Sequence, residues 1–401
     1  MNYILGEENS RLTDKYKVCV LIHLHYEDTI CKYEKYIESI PESIDILFTY
    51  SNVQVYQQLI KIASKLKNRI LWIEKENRGR DISALLVAAR EQLLKYDIVC
   101  IIHDKKSKER ILEHDTDEWI YSLWENTLSS ERYIENIISV FESNSEVGIL
   151  TPPLYLGEFI SSEYMDQWGH DYPHIVELFE KTDVRKIPSN KSFIKTFGTV
   201  FWARTTAIKK LLSYQWEYED FDEEPLPSDG TISHAIERSI CFYAEDAGYE
   251  THTIMTKRYA DVHMQRLQEA LQCSLDVISM NLGCKNFFEI KNYEKCRQGI
   301  KAFCSKYKKI YIYGAGAYGK ACLKMLRVMN ICPEAFIVSS DEHGARQMDD
   351  IKIIGLNNCE LNDDVGIIVA TSDQYRVEIL KALKEKAVDE NGIYLYSHGK
   401  R

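Results

Sequence analysis

Residues 98–107 read IVCIIHDKKS. Five apolar residues, four of them β-branched, stop abruptly at His103, Asp104, Lys105, Lys106 and Ser107. A short continuous apolar run of this kind reads as a strand buried on both faces, which is the habit of a parallel sheet covered by helices. The polar tail has two readings. It is either a solvated turn or, with an acid set between an imidazole and two ammonium groups where a strand emerges, a seat for a charged ligand.

The flanking sequence repeats the pattern. KVCVLIHLHY (17–26), SIDILFTYSN (43–52) and NRILWIEKENRGRD (68–81) each hold an apolar run followed by polar residues. Between them, VYQQLIKIASKL (55–66) and ISALLVAAREQLLKY (82–96) carry apolar residues at helical spacing. Strand and helix alternate, so IVCIIH is the fourth strand of a mostly parallel α/β sheet. Ligands of such sheets bind beyond the carboxyl ends of the strands. The loops holding His23 to His25, Tyr50 to Asn52, Asn77 to Asp81 and His103 to Ser107 are therefore the candidate site.

The middle of the chain is less regular. SEVGILTPPLYLG (145–157) predicts a strand and a Pro-Pro turn, and TFGTVFWARTTAIKKLL (196–212) a short strand running into a helix. An acidic loop at 217–224 precedes a helix over about 231–247 and a last strand. From 309 onward, KIYIYGAGAYGKACLKML (309–326) reads strand, glycine turn, helix, and EAFIVSSD, DIKIIGL, VGIIVATSD and GIYLY add four strand candidates. The expected domains are residues 1–265, a helical connector at 266–307, and a small Rossmann-like α/β unit at 308–401.

Composition bounds the function. The chain has 401 residues, 28% charged, with a formal net charge of -11. That excess of acid argues against tracking nucleic acid, which needs clustered Lys and Arg. The eleven cysteines include no Cys-x-x-Cys pair. Several lie inside apolar runs, where a thiol acts as a small hydrophobe, so a reducing, cytoplasmic compartment is expected. The start of the chain carries no signal-peptide pattern, and no run reaches the ~18 apolar residues of a membrane span. Peripheral attachment to the inner face of the cell membrane and a homo-oligomeric state are compatible with this reading.

Five clusters carry candidate chemistry. In ENRGRDISALL (76–86), Gly79 permits a tight turn and Asp81 with Ser83 can cap the next helix, while Arg78 and Arg80 make an anion-friendly corner. In the opening stretch, Asp104 can hold a divalent cation, and Lys105 or Lys106 can neutralise a leaving diphosphate directly. In FGTVFWAR (197–204), Trp202 and Arg204 serve equally as a sugar-stacking wall or as a buried strand. Around 217–238, Asp220 belongs to an acidic loop and Asp229 can be a plain helix cap. His234, Glu237 and Arg238 share a helix face, and a carboxylate here is placed for general-base work. In GAGAYG, Gly314, Gly316 and Gly319 follow a strand and open a helix, and Asp341 falls where a ribose-binding acid would stand. The unit lacks a second mononucleotide half, so no nicotinamide or flavin is expected. A nucleotide-sized ligand or a purely structural unit is the preferred reading.

NRGRDISALL, IIHDKKS, GILTPP, FGTVFWAR, WEYEDFDEEP and DGTISHAIERSICFYAEDAGYET occur in this order over residues 77–251. Together they resemble the rhamnan synthesis protein F family of bacterial cell-wall and surface polysaccharide assembly, over residues 15–262. The resemblance implies a GT-A-like glycosyltransferase, with dTDP-rhamnose as donor and a lipid-linked glycan as acceptor. It implies a nucleotide base near His25 and Asn52, and ribose and diphosphate near Arg80 and Asp81. Asp104, through a cation such as Mg or Mn, and Lys105 would stabilise the leaving group. The usual Asp-x-Asp is replaced by His103-Asp104-Lys105, which leaves the lysines as an alternative to the metal. For an inverting reaction the base is expected at Asp229, then Glu237, then Asp220. Alternatives are another nucleotide-sugar donor or retaining stereochemistry, a non-catalytic scaffold, and a nicotinamide-dependent enzyme.

Overall fold

The computed structural model describes residues 2–7, 15–106, 113–154, 168, 171–189, 192–196, 198–223, 225–227, 230–282, 287–339 and 347–396, without the side chains of 113–115, 278–282 and 287–290. The chain divides into two compact units, Met1–Leu267 and Gln268–Arg401.

The first unit is built on eight strands: β1 (Asn2–Leu5), β2 (Val18–His23), β3 (Asp45–Tyr50), β4 (Ile70–Glu74), β5 (Ile98–His103), β6 (Val147–Thr151), β7 (Phe201–Arg204) and β8 (Glu250–Thr256). Their order across the sheet is β1-β8-β6-β7-β5-β2-β3-β4. Every neighbouring pair is parallel except those made by β7, which runs antiparallel to both β5 and β6.

All six residues of β2 and all six of β5 are buried. The reason is visible in the period-2 alternation. Val18, Val20 and Ile22 of β2, with Ile98, Cys100 and Ile102 of β5, face one core. Cys19, Leu21, Val99 and Ile101 face the other. Each such side chain taken fully out of water contributes about 1.5–3 kcal/mol, so both faces hold these strands at the centre of the sheet. Helices cover the faces, among them Val53–Ala63 and Glu131–Ser143 on the first, and Ile232–Asp246 on the second.

The chain runs β2, β3, β4 outward in one direction, then returns to place β5 on the other side of β2. That reversal makes a topological switch point between β2 and β5, where neighbouring connections diverge and leave a crevice at the strand ends. Register pairs His23 directly with His103 at this mouth. Because β7 is antiparallel, its entry residues, Gly198 to Val200, arrive at the same end.

Three local expectations change. The helix after β4 starts at Arg80 behind Gly79, which sits at φ 71°, and has no side-chain cap. Ser83 donates instead to the carbonyls of Arg78 and Arg80. The helix over 80–93 is interrupted by a π segment at Ala84–Ala88. The cap of Ile232–Asp246 is Thr231, whose hydroxyl accepts from the His234 N–H, and Asp229 lies outside the described residues.

The second unit has β9 (Lys309–Tyr313), β10 (Ala335–Val338), β11 (Gln347–Met348), β12 (Ile351–Gly355), β13 (Val365–Val369) and β14 (Ile393–Leu395) in the order β11-β12-β10-β9-β13-β14. All pairs are parallel except β11 with β12. The helix Phe287–Cys304, expected as connector, belongs to this unit's core: Cys296, Ile300, Phe303 and Cys304 pack with Ile310, Ile312 and Leu323.

Gly79 tests the mouth of the first unit. A Cβ there would meet Phe221 Cγ at 2.7 Å and Ser83 Cβ at 2.8 Å, on a positive φ that side chains resist. Gly79→Ala is expected to lose about 2–3 kcal/mol, read as a lower urea midpoint with unchanged slope.

Candidate functional site

At the switch point, four strand ends and two loops bring together His23, His103, Asp104, Lys75, Asp81 and the Gly198–Thr199 turn. His103 is 9% exposed. Its Nδ1 lies 2.7 Å from the Asp104 carbonyl oxygen and its Nε2 2.5 Å from that of Gly198. Carbonyl oxygens only accept, so both ring nitrogens must donate, and the ring is an imidazolium. Asp81 supplies the counter-charge, with its Oδ2 3.7 Å from Nε2. Burial alone would push the imidazole down. The Asp81 carboxylate and the two carbonyls outweigh it and hold His103 above its ordinary value. For Asp81, burial works upward, but the neighbouring imidazoles, His103 first and then His23, bring it below the usual carboxylate range.

His23, one strand away in register, has the opposite fate. Its Nδ1 is 3.0 Å from Thr49 Oγ1 and 3.3 Å from the Thr49 carbonyl. Burial, and then the Lys75 charge, push it down to about 3. A neutral ring therefore stands beside a charged one.

Lys75 is 5% exposed. Its ammonium donates to the carbonyls of Glu76 (2.6 Å) and Arg78 (3.3 Å), which folds the 75–79 loop inward. Burial brings it down to about 8, although Asp81 opposes the shift. Sequence reading did not single out Lys75. Its position right after a strand of the sheet was the available signal.

Asp104 is 6% exposed. Its Oδ2 accepts from the His25 N–H (3.0 Å), the Tyr26 N–H (2.8 Å) and the Thr29 hydroxyl (3.4 Å). It thus ties the loop after β2 to the end of β5, and burial raises its carboxyl despite these donors. That oxygen is committed to the loop after β2, and Asp104 could offer a cation only its other oxygen. Among the described residues no three His, Cys, Asp or Glu side chains gather as a metal cluster.

The remaining candidates divide by place. His25 and Asn52 stand at the same mouth: Asn52 Nδ2 donates to the His25 carbonyl (3.3 Å), and His25 Nδ1 meets Ser51 Oγ at 3.0 Å. Glu237 Oε1 accepts the Gly198 N–H at 2.7 Å, so it fixes the turn whose carbonyl grips His103. His234 Nδ1 bonds the Thr231 hydroxyl at 2.8 Å. Arg78 reaches across to the carbonyls of Phe221 (2.8 Å) and Glu219 (3.3 Å), tying the acidic loop to the site. Asp220 caps that loop's short turn with Glu217. Arg80 opens the helix with φ 47°. Lys105 lies 3.6 Å over the Trp119 ring, and Lys106 pairs with Asp28.

Two expected donor contacts fall outside this cluster. Trp202 is fully buried, with its indole N–H on the Thr127 carbonyl (3.2 Å). Arg204 lies opposite Ile98, at the other end of β5, and bonds the carbonyls of Val147, Phe141 and Asn144. Antiparallel β7 carries both away from the mouth. In the second unit, Gly314, Gly316 and Gly319 stand at the end of β9 and the start of the Ala317–Val328 helix, and Asp341 lies outside the described residues.

A mostly parallel α/β sheet with polar side chains gathered at its switch point is consistent with a nucleotide-sugar-transferase-like fold. The family model described as rhamnan synthesis protein F matches residues 1–249, and the chain belongs to that family. A second model, C2185-like, N-terminal, matches residues 306–394. The chain is similar to uncharacterized protein WxcX of Xanthomonas campestris pv. campestris. It is 27% identical to the strain B100 protein and 26% to the ATCC 33913 protein, each over 249 residues. That match covers 59% of this chain and 32% of either relative, so the chain spans about a third of their length. No helix among the described residues is long and apolar enough to cross a membrane.

The Asp81–His103 pair predicts a pH signature. His103 is raised, so its stabilisation is complete below about 6.5 and lost as pH rises through the raised value. Asp81 is lowered, so its share is present above about 3.9 and lost as pH falls through the lowered value. Asp81→Asn should cost about 3 kcal/mol, with the largest difference from wild type between those limits. The His103 ring should titrate above the ordinary histidine value in wild type and below it in Asp81→Asn. Ring-proton NMR checks this, and an unmoved titration would refute the pairing.

Proposed function

We propose that the first unit is an inverting GT-A-type glycosyltransferase that moves L-rhamnose from dTDP-rhamnose onto a cell-wall or surface polysaccharide acceptor. The observation that carries this reading is the switch point itself, at which an imidazolium, a buried ammonium and the loops bearing Arg80, Lys105 and Lys106 converge on one strand mouth. Such a place suits a nucleoside diphosphate. Family membership supports the polysaccharide setting. A lipid-linked acceptor at the inner membrane face agrees with it.

In this mechanism the base and ribose lie towards His25 and Asn52, at the ends of β2 and β3. The diphosphate lies over the β2–β5 mouth. Lys105, Lys106 and Arg80 supply positive charge from the loops, and His103, held charged by Asp81, supplies it from the strand end. As the glycosidic bond breaks, negative charge grows on the diphosphate, and preformed cations stabilise that state more than the ground state. The acceptor hydroxyl attacks the anomeric carbon through an oxocarbenium-like state, and a carboxylate takes its proton. Asp229 is the proposed base. Glu237 is engaged on the Gly198 N–H and Asp220 in its own turn, so both are better read as holding loops. The commitment of Asp104 Oδ2 to three donors favours cations of the chain over a resident Mg or Mn, and no step is routed through a metal.

Two results follow. Asp229→Asn should lower transfer by about 10²–10⁴-fold with the melting temperature unchanged, measured by mass spectrometry with dTDP-rhamnose and a rhamnose-containing acceptor. Near-normal turnover would remove Asp229 from the role. Transfer should also survive exhaustive chelation, whereas loss on chelation restored by Mn would return Asp104 to the ligand role.

A further inference from the structure

The second unit has its own switch point. The chain runs from β9 to β10 and β12 on one side, then returns to place β13 on the other side of β9. A cavity of about 500 Å³ opens at the ends of these strands, within the range of small-ligand sites. It lies on the side of the sheet covered by the Asp373–Glu385 helix, whose Ile379 packs with Tyr313 and Ile337.

The wall has two chemistries. Ile337, Val338, Ile379 and Ala382 give an apolar surface, and the half-exposed Tyr375 ring stands at its edge. The polar part holds Ser339, whose hydroxyl meets Tyr313 Oη at 3.1 Å, the Glu378 carboxylate, and Thr371. The Thr371 hydroxyl oxygen is shut from solvent and has no hydrogen-bond partner. The floor is Gly314, at φ 111°, where a Cβ would meet Thr371 Cγ2 at 2.6 Å and the Ala370 carbonyl at 2.7 Å. Only glycine lets the ends of β9 and β13 pack this closely beside the cavity. From there the chain passes Gly316, where a Cβ would meet nothing within 4 Å, into the Ala317–Val328 helix, which has no side-chain cap.

We propose that this cavity binds a nucleoside phosphate, as a site separate from the donor site of the first unit. The base lies on the apolar wall under Tyr375. Ser339 and Glu378 take the ribose hydroxyls, since a carboxylate accepts from a diol. The phosphate lies on the Gly314–Gly316 turn, away from Glu378, where close backbone and a helix start favour an anion. No bond is made or broken.

The test uses the full chain with ADP, UDP, dTDP and NAD as probes, followed by calorimetry. At least one nucleotide is expected to bind with an affinity that falls tenfold or more in Ala382→Phe and in Tyr375→Ala, two variants that lie outside the first unit. Tyr375 is exposed, so its variant keeps the fold if Ala382→Phe does not. An azido derivative of the bound nucleotide should label the peptide over 373–385. The proposal is overturned if none of the probes binds, if binding survives both cavity variants, or if the label falls only on peptides of the first unit.

Discussion

Much of the first unit's mouth depends on one ion pair. An imidazole with a carbonyl on each nitrogen must carry a proton on both, and a buried cation of that kind is costly unless a carboxylate stands near. Asp81 meets that need from the first turn of the helix after β4, and His103 stands at the end of β5. The pair therefore couples the return strand to the outward half of the sheet across the switch point. Glu237 extends the coupling, since it holds the Gly198 turn whose carbonyl caps the ring. A helix, two strands and two loops are fixed in one register by a handful of polar contacts.

This arrangement explains why neighbouring histidines differ. His23 and His103 are paired residue to residue, yet one faces a hydroxyl and an ammonium and the other a carboxylate. Local charge, not burial, separates them. The outcome is a strand mouth with built-in positive charge, the feature on which the proposed diphosphate site rests. Asp104 belongs to the same design as a brace between loops, with the His25 and Tyr26 N–H groups on its Oδ2.

Much of this was legible in the sequence. Continuous apolar runs located β2, β3 and β5 to within a few residues, because burial on both faces removes the polar alternation that blurs strand limits. The polar residues after them fell at the mouth, because ligands and strand ends coincide in parallel sheets. The direction of β7 was not legible: FGTVFWAR is apolar in either orientation, and only pairing decides that Trp202 and Arg204 point away. Lys75 escaped notice since a lone lysine after a strand usually sits in water. The partners that make it buried, the carbonyls of Glu76 and Arg78, are backbone atoms without a sequence signature. The caps at Gly79 and Thr231 displaced the expected acids for a similar reason, as positive φ and loop path outrank side-chain preference.

The central claim is that the crevice between β2 and β5 holds the nucleoside diphosphate. Hydrogen exchange of the full chain with and without dTDP, in the absence of divalent metal, tests it most directly. Protection concentrated at residues 23–26, 75–81, 103–106 and 198–200 is the expected result. Protection that leaves these four segments unchanged while dTDP is bound would contradict it.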